Sequence, residues 1–250
     1  MQRKRMLVLM LFIGLIGIGL SPMVVFADSD AVEAGRLLAV LHDSGRVTVG
    51  ANQPLINDPD KGDKGFTPDV FEKQVTDKFK DRAKVNLADL KNEKIPGLAK
   101  KLLPQLVDAM KATVADYQPV INRAGVGFKG FIPATFGTQA AAKFRAKTGV
   151  YLKQTQNPSR NPKNAPDDFE LKALAKFAAA SYPRQGEKIY SETVDGGKAT
   201  RIMLPLFMLK GCLPCHGEPK GEKDISGYMK EGAKEGDLAG AISVKIVTGK

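Results

Sequence analysis

The fold turns on Lys188–Leu204, KIYSETVDGGKATRIML. Apolar and polar residues alternate on both sides of Asp195-Gly196-Gly197. Successive strand side chains point to opposite faces, and a tight turn needs residues that tolerate positive φ, so the pattern predicts a β-hairpin with strands Lys188–Val194 and Ala199–Leu204. Leu238–Val247, LAGAISVKIV, reads as a last strand, and Val150–Thr155 as an earlier one.

Upstream the period is helical. Asp28–His42 places Ala31, Ala34, Leu37, Leu38 and Leu41 on one face and is expected to stop at Ser44-Gly45, with a short strand at Val47–Val49. After a polar loop from Asn52 to Gly65, Thr67 caps and Pro68 opens a helix to about Arg82, with Val70, Phe71, Val75 and Phe79 as its apolar face. Leu98–Ile121 follows, interrupted or kinked at Pro104, with Leu102, Leu106, Ala109, Met110 and Val114 at helical spacing. Thr135–Lys147, ending at Gly149, and Asp167–Ala180 complete the helices, with Asn157–Pro166 as a turn-rich connector. The expected class is α+β: a helical N-terminal half and a small antiparallel sheet, divided as a helical segment 28–95 and a sheet domain 96–250.

Directly after the hairpin comes Cys212-Leu213-Pro214-Cys215-His216. C-x-x-C-H is the attachment pattern of c-type haem: each thiol adds to one vinyl group of a single porphyrin, and the adjacent imidazole serves as proximal iron ligand. The chain has two cysteines and two histidines, so this stretch holds three of the four. A zinc site normally needs four ligands, and no second Cys/His cluster supplies them. A thioredoxin-like pair belongs at a strand-to-helix turn early in a βαβ unit, not here near the C-terminus. The expected cofactor is one covalently attached haem c, held by Cys212 and Cys215 with His216 on the iron.

The N-terminus agrees. Basic residues Arg3, Lys4 and Arg5 precede an apolar run from Met6 to Leu20, and Val25-Phe26-Ala27 is a small-residue cleavage pattern. Residues 1–27 therefore read as a signal peptide cleaved after Ala27, with a periplasmic mature chain and no stable membrane span. Cleavage removes those three basic residues and no acidic one, lowering the formal charge from +11 to +8. The positive charge is spread over sites such as Lys100, Lys101, Lys143, Arg145 and Lys220, without an arginine-rich run or nucleic-acid motif. Nucleic acid is not an expected partner. Gly125-x-Gly127-x-x-Gly130 matches a dinucleotide fingerprint only as a string, because it follows a helix and no βαβ unit surrounds it. No nucleophile elbow supports a hydrolase.

Several stretches resemble the bacterial exported single-haem c domain, found alone or as the periplasmic sensor region of chemoreceptors and histidine kinases. They are Phe131-Ile132-Pro133-Ala134-Thr135-Phe136, Arg160-Asn161-Pro162-Lys163-Asn164-Ala165-Pro166-Asp167-Asp168-Phe169-Glu170, Pro205-Leu206, the C-x-x-C-H motif, and Gly236-Asp237-Leu238-Ala239-Gly240-Ala241-Ile242-Ser243-Val244. The resemblance implies a PAS-like antiparallel sheet with the haem against it, and a role in redox or small-ligand sensing. Some similar proteins complete the iron's coordination with a cysteine from the N-terminal half; this chain has no third cysteine.

The sixth iron position has several candidates. His42 would give a low-potential bis-histidine centre, or else is a helix-end histidine meeting the last carbonyls. Met203, Met208 and Met229 are alternatives that would raise the potential, or else core packing. An open position would admit a diatomic gas such as NO, CO or O2. Arg160 is a candidate partner for a haem propionate; Asn161, Asn164 and Asp167 fit turn and capping roles. The expected function is a redox or small-ligand sensing module signalling to a separate, unidentified periplasmic partner. The alternatives are a simple electron-transfer cytochrome c and, behind it, a peroxidase-like enzyme.

Overall fold

The computed structural model describes residues 28–184 and 187–249, so the expected signal peptide lies outside the described residues. Seven α-helices and four strands follow one another among them. The helices are α1 (Ser29–Ala51), α2 (Gln53–Ile56), α3 (Pro68–Ala83), α4 (Gly97–Ile121), α5 (Pro133–Thr148), α6 (Asp168–Ala178) and α7 (Leu213–His216). The strands are β1 (Tyr151–Thr155), β2 (Tyr190–Val194), β3 (Ala199–Phe207) and β4 (Leu238–Val247). They form one sheet of order β1-β4-β3-β2, antiparallel throughout, with Val194 facing Ala199 across the hairpin and Met203 facing Ser243 between β3 and β4. The α+β class and the hairpin stand as read from the sequence.

Local signals place most boundaries. The Thr67 side chain accepts from the Val70 N–H ahead of Pro68. Gly149 ends α5 at φ 74°, a left-handed position that suits glycine. Asp167 and Glu170 form a reciprocal capping box at the start of α6.

One expectation fails at Ser44-Gly45. Helix α1 runs through it to Ala51, so there is no strand at Val47–Val49 and His42 lies inside the helix, not at its end. The reason is tertiary. The Ser44 and Thr48 hydroxyls donate to the Val40 and Ser44 carbonyls, both at 2.8 Å, which satisfies them locally without extending the helix; packing does that. A Cβ on Gly45 would lie 2.9 Å from the Phe136 ring and 3.0 Å from Met110 sulfur, so the glycine permits close packing against α5 and α4.

Helix α1 crosses one face of the sheet. Its buried Leu37, Leu38 and Leu41 join Ile202, Leu204, Leu206, Ile242, Val244 and Ile246 in a core that also takes in α3, α4 and α5. The opposite face meets α6, where Ala173, Leu174 and Phe177 cover Met203 and Ala241. Arg201 pins α6 there, reaching Asp167 at 2.6 Å and both Glu170 and Ser243 at 3.0 Å. Both faces of the sheet's centre are thus occupied by the chain's own helices. What remains is the sheet end where β3 stops, β4 starts and β1 hands over to its connector.

Candidate functional site

At that end, the β3–β4 connector carries the C-x-x-C-H turn. Backbone pairing of Met208 with Asp237 and Gly236, both at 2.8 Å, closes the connector's base. A 3-10 turn, Lys210–Cys212, runs directly into α7. The Gly217 N–H bonds the Leu213 carbonyl at 2.8 Å, and a Cβ there would lie 2.7 Å from that oxygen, so the exit requires glycine. The chain then folds back as a small hairpin, with Asp224 N–H bonded to Tyr228 O and Lys230 N–H to Glu222 O, and returns to bond the His216 carbonyl through Ala233 N–H.

Cys212 and Cys215 are both free thiols, half-buried, one turn apart. The Cys212 sulfur accepts from the Leu209 N–H at 3.4 Å. Burial pushes the Cys215 thiol above the usual cysteine range, nearby Asp224 adds to this, and Arg160 only partly opposes it. Among the described residues no group of three or more His, Cys, Asp and Glu side chains is arranged to hold a bare metal ion.

His216 makes the decisive contact. Its Nδ1 lies 2.9 Å from Glu231 Oε2. With Nδ1–H donating to the carboxylate, Nε2 carries the free lone pair. Burial alone would raise the Glu231 carboxyl, but the bonds from Arg160 and His216 hold it below the ordinary glutamate range. Asp224 follows the same pattern, its burial outweighed by bonds from the Ser226 hydroxyl, the Arg160 guanidinium and backbone N–H groups.

Arg160, offered by the sequence to a propionate, is placed otherwise. Its Nε donates to Glu231 Oε1 at 2.6 Å, its Nη1 to Asp224 Oδ2 at 2.8 Å, and its Nη2 to Glu231 Oε2 at 2.8 Å and the Cys215 carbonyl at 2.9 Å. The Tyr228 ring lies 5.5 Å from the guanidinium carbon. Arg160 therefore ties the β1–α6 connector to both the cysteine turn and the hairpin behind it. Asn161 caps a 3-10 turn, and Asp167 caps α6.

The distal candidates scatter. His42 is wholly buried, its Nε2 donating to the Gly137 carbonyl at 2.9 Å. Burial lowers its pKa from 6.5 to about 4, against the raising effect of that backbone bond. Met203 is buried in the α6 cluster. Met208 is buried at the connector's base. Met229 is 56% exposed, and its carbonyl accepts from the same Arg160 Nη2 that holds Cys215. Leu209, Ile225 and Tyr228 are also exposed apolar side chains of this connector.

Glu231 and Asp224 escape sequence reasoning. They lie in a mixed Lys/Glu/Asp loop without a spacing rule, 15 and 8 residues after His216. The partner they share, Arg160, lies more than 60 residues upstream in the chain.

The family model described as Tll0287-like matches residues 72–247. Among solved structures, the crystal structure of the cyanobacterial haem protein Tll0287 matches at 20% identity and a TM-score of 0.41, covering 61% of this chain and 94% of that one. No curated protein matches.

Proposed function

The chain belongs to the Tll0287-like family, and from that premise we propose that it is an exported haem c protein, a redox or small-ligand sensing module in the periplasm. Tll0287, for which the family is named, is a haem protein. The observation that carries the reading is the His216–Glu231 bond beside two free thiols on one turn. With Nδ1 so engaged, Nε2 is left as the lone pair on the residue that follows Cys215, and two thiols with such an imidazole are the donor set that a covalently anchored haem requires. The exposed apolar Leu209, Ile225, Tyr228 and Met229 fit a macrocycle seated on this connector.

Haem held here would supply a one-electron iron couple and a coordination site for a ligand. The chain's own residues do the rest. Cys212 and Cys215 would anchor the haem and His216 would ligate the iron, with Glu231 holding the imidazole's orientation and Arg160 locking the connector in place. His42 is engaged by Gly137 and Met203 is packed under α6. The sixth position would then be left to the connector's Met208 or Met229, or to a small ligand from solution. An available sixth position favours sensing; its closure by methionine would favour the second reading, a simple electron carrier. No described helix is long and apolar enough to cross a membrane.

The test is an absorption spectrum of the exported protein, oxidised and reduced, with and without CO. Wild-type protein is expected to show a thioether-type haemochrome in pyridine, and Cys212→Ser with Cys215→Ser to lose covalent haem altogether. Haem-free wild type sinks the reading. A CO-induced shift in the reduced protein supports ligand sensing, whereas a CO-insensitive low-spin spectrum that opens in Met229→Ala or Met208→Ala supports electron transfer. N-terminal sequencing of the mature protein should begin at Asp28.

A further inference from the structure

We propose that Glu231 is a positioning residue that fixes the tautomer of His216 and so lowers the reduction potential of the haem, with Arg160 moderating its pull. The inference rests on the haem reading above. Three charged or titratable groups stand in series: the Arg160 guanidinium grips both Glu231 oxygens, at 2.6 and 2.8 Å, and Oε2 lies 2.9 Å from His216 Nδ1. The far end of the series is the ligand itself.

An ionised acceptor draws on the Nδ1 proton and raises the basicity of Nε2 more than a neutral carbonyl or a water would. A more basic imidazole favours the ferric iron over the ferrous, because the ferric centre carries the larger charge. The potential falls accordingly. Arg160 works against this by sharing both carboxylate oxygens, and its anchoring by Asp224, whose side chain is fully buried, keeps it in place. Side chains of His216 and Glu231 are 25% and 37% exposed. A hydrogen bond that open to water adds little to stability, so folding alone does not account for the arrangement.

Haem-loaded full-length chain would be titrated spectroelectrochemically as wild type, Glu231→Gln, Glu231→Asp and Asp224→Asn, after haem content has been established by pyridine haemochrome. Outer-shell partners of metal-bound histidines typically matter about tenfold or more. Glu231→Gln is therefore expected to lose about tenfold of the preference for ferric iron, a rise of about 59 mV for a one-electron couple. Glu231→Asp, which keeps the charge but retracts it, should rise less. Asp224→Asn, which loosens Arg160 without touching His216, should not rise. An unchanged midpoint in haem-loaded Glu231→Gln overturns the inference, as does an equal rise in Asp224→Asn. Should Glu231→Gln fail to fold by circular dichroism, Glu231→Asp stands in: a rise supports the inference and no rise overturns it. Wild type without covalent haem overturns the functional reading itself, before any potential is measured.

Discussion

At the scale of single residues, His42 and His216 show how little a histidine's identity says about its work. His216 is half-open to water and bonded to a carboxylate, whereas His42 sits in the core with Nε2 on the Gly137 carbonyl and no partner for Nδ1. In that tautomer the orphan atom is a lone pair rather than an N–H, and the neutral ring is the form the core accepts. Unfolding returns His42 to a pKa near 6.5 from about 4. Between those values the unfolded chain binds a proton that the folded chain refuses, so stability falls as pH drops through that window and is flat with respect to this group above it. The contribution lost by pH 4 is about 3 kcal/mol. Urea midpoints at pH 7 and pH 4.5 for wild type and His42→Gln should show the variant's deficit narrowing in acid; a constant deficit would refute the assignment. The C-x-x-C-H grouping of Cys212, Cys215 and His216 is plain in the sequence. Glu231 is not, because a carboxylate's value to an imidazole depends on where a loop closes.

At the scale of elements, α1 is the instructive case. Its apolar spacing at Ala31, Ala34, Leu37, Leu38 and Leu41 is plain in the sequence, and all five are buried. Its end was misjudged because Ser44-Gly45 is a local stop signal overridden by packing. Gly35 has the same meaning as Gly45: a Cβ on it would lie 2.4 Å from Ile202 Cδ1, so the helix crosses β3 at glycine distance. Gly35→Ala would ordinarily stabilise a helix interior by about 1 kcal/mol. Here overpacking should outweigh that and cost about 1–2 kcal/mol net. Ile202→Val, which removes the clashing methyl, should recover part of the loss in the double variant. Thermal melts of the two singles and the double test this; independent, additive effects would mean the contact is not the cause. By contrast, Thr67, Gly149 and the Asp167–Glu170 box behave as their sequence signals say, because a cap acts within three or four residues and needs nothing distant.

At the scale of the whole molecule, one continuous core runs from Ala31 to Ile246, so residues 28–95 and the sheet share their buried surface. Limited trypsin digestion of the folded chain should therefore yield no stable fragment beginning near residue 96. Accumulation of such a fragment would show that the sheet holds without α1 and α3. The same architecture explains the site's location. Helices α1 and α6 cover opposite faces of the sheet's centre, and the connectors leaving one end converge on the cysteine turn. Sequence alone carried the α+β class, the hairpin, most helix boundaries and the C-x-x-C-H motif, since each rests on a period or spacing of a few residues. The length of α1, the burial of His42, and the Arg160–Glu231–His216 series came only with the folded chain. They join groups 15 to 95 residues apart, and contacts at that range follow from how the sheet and its loops close in space.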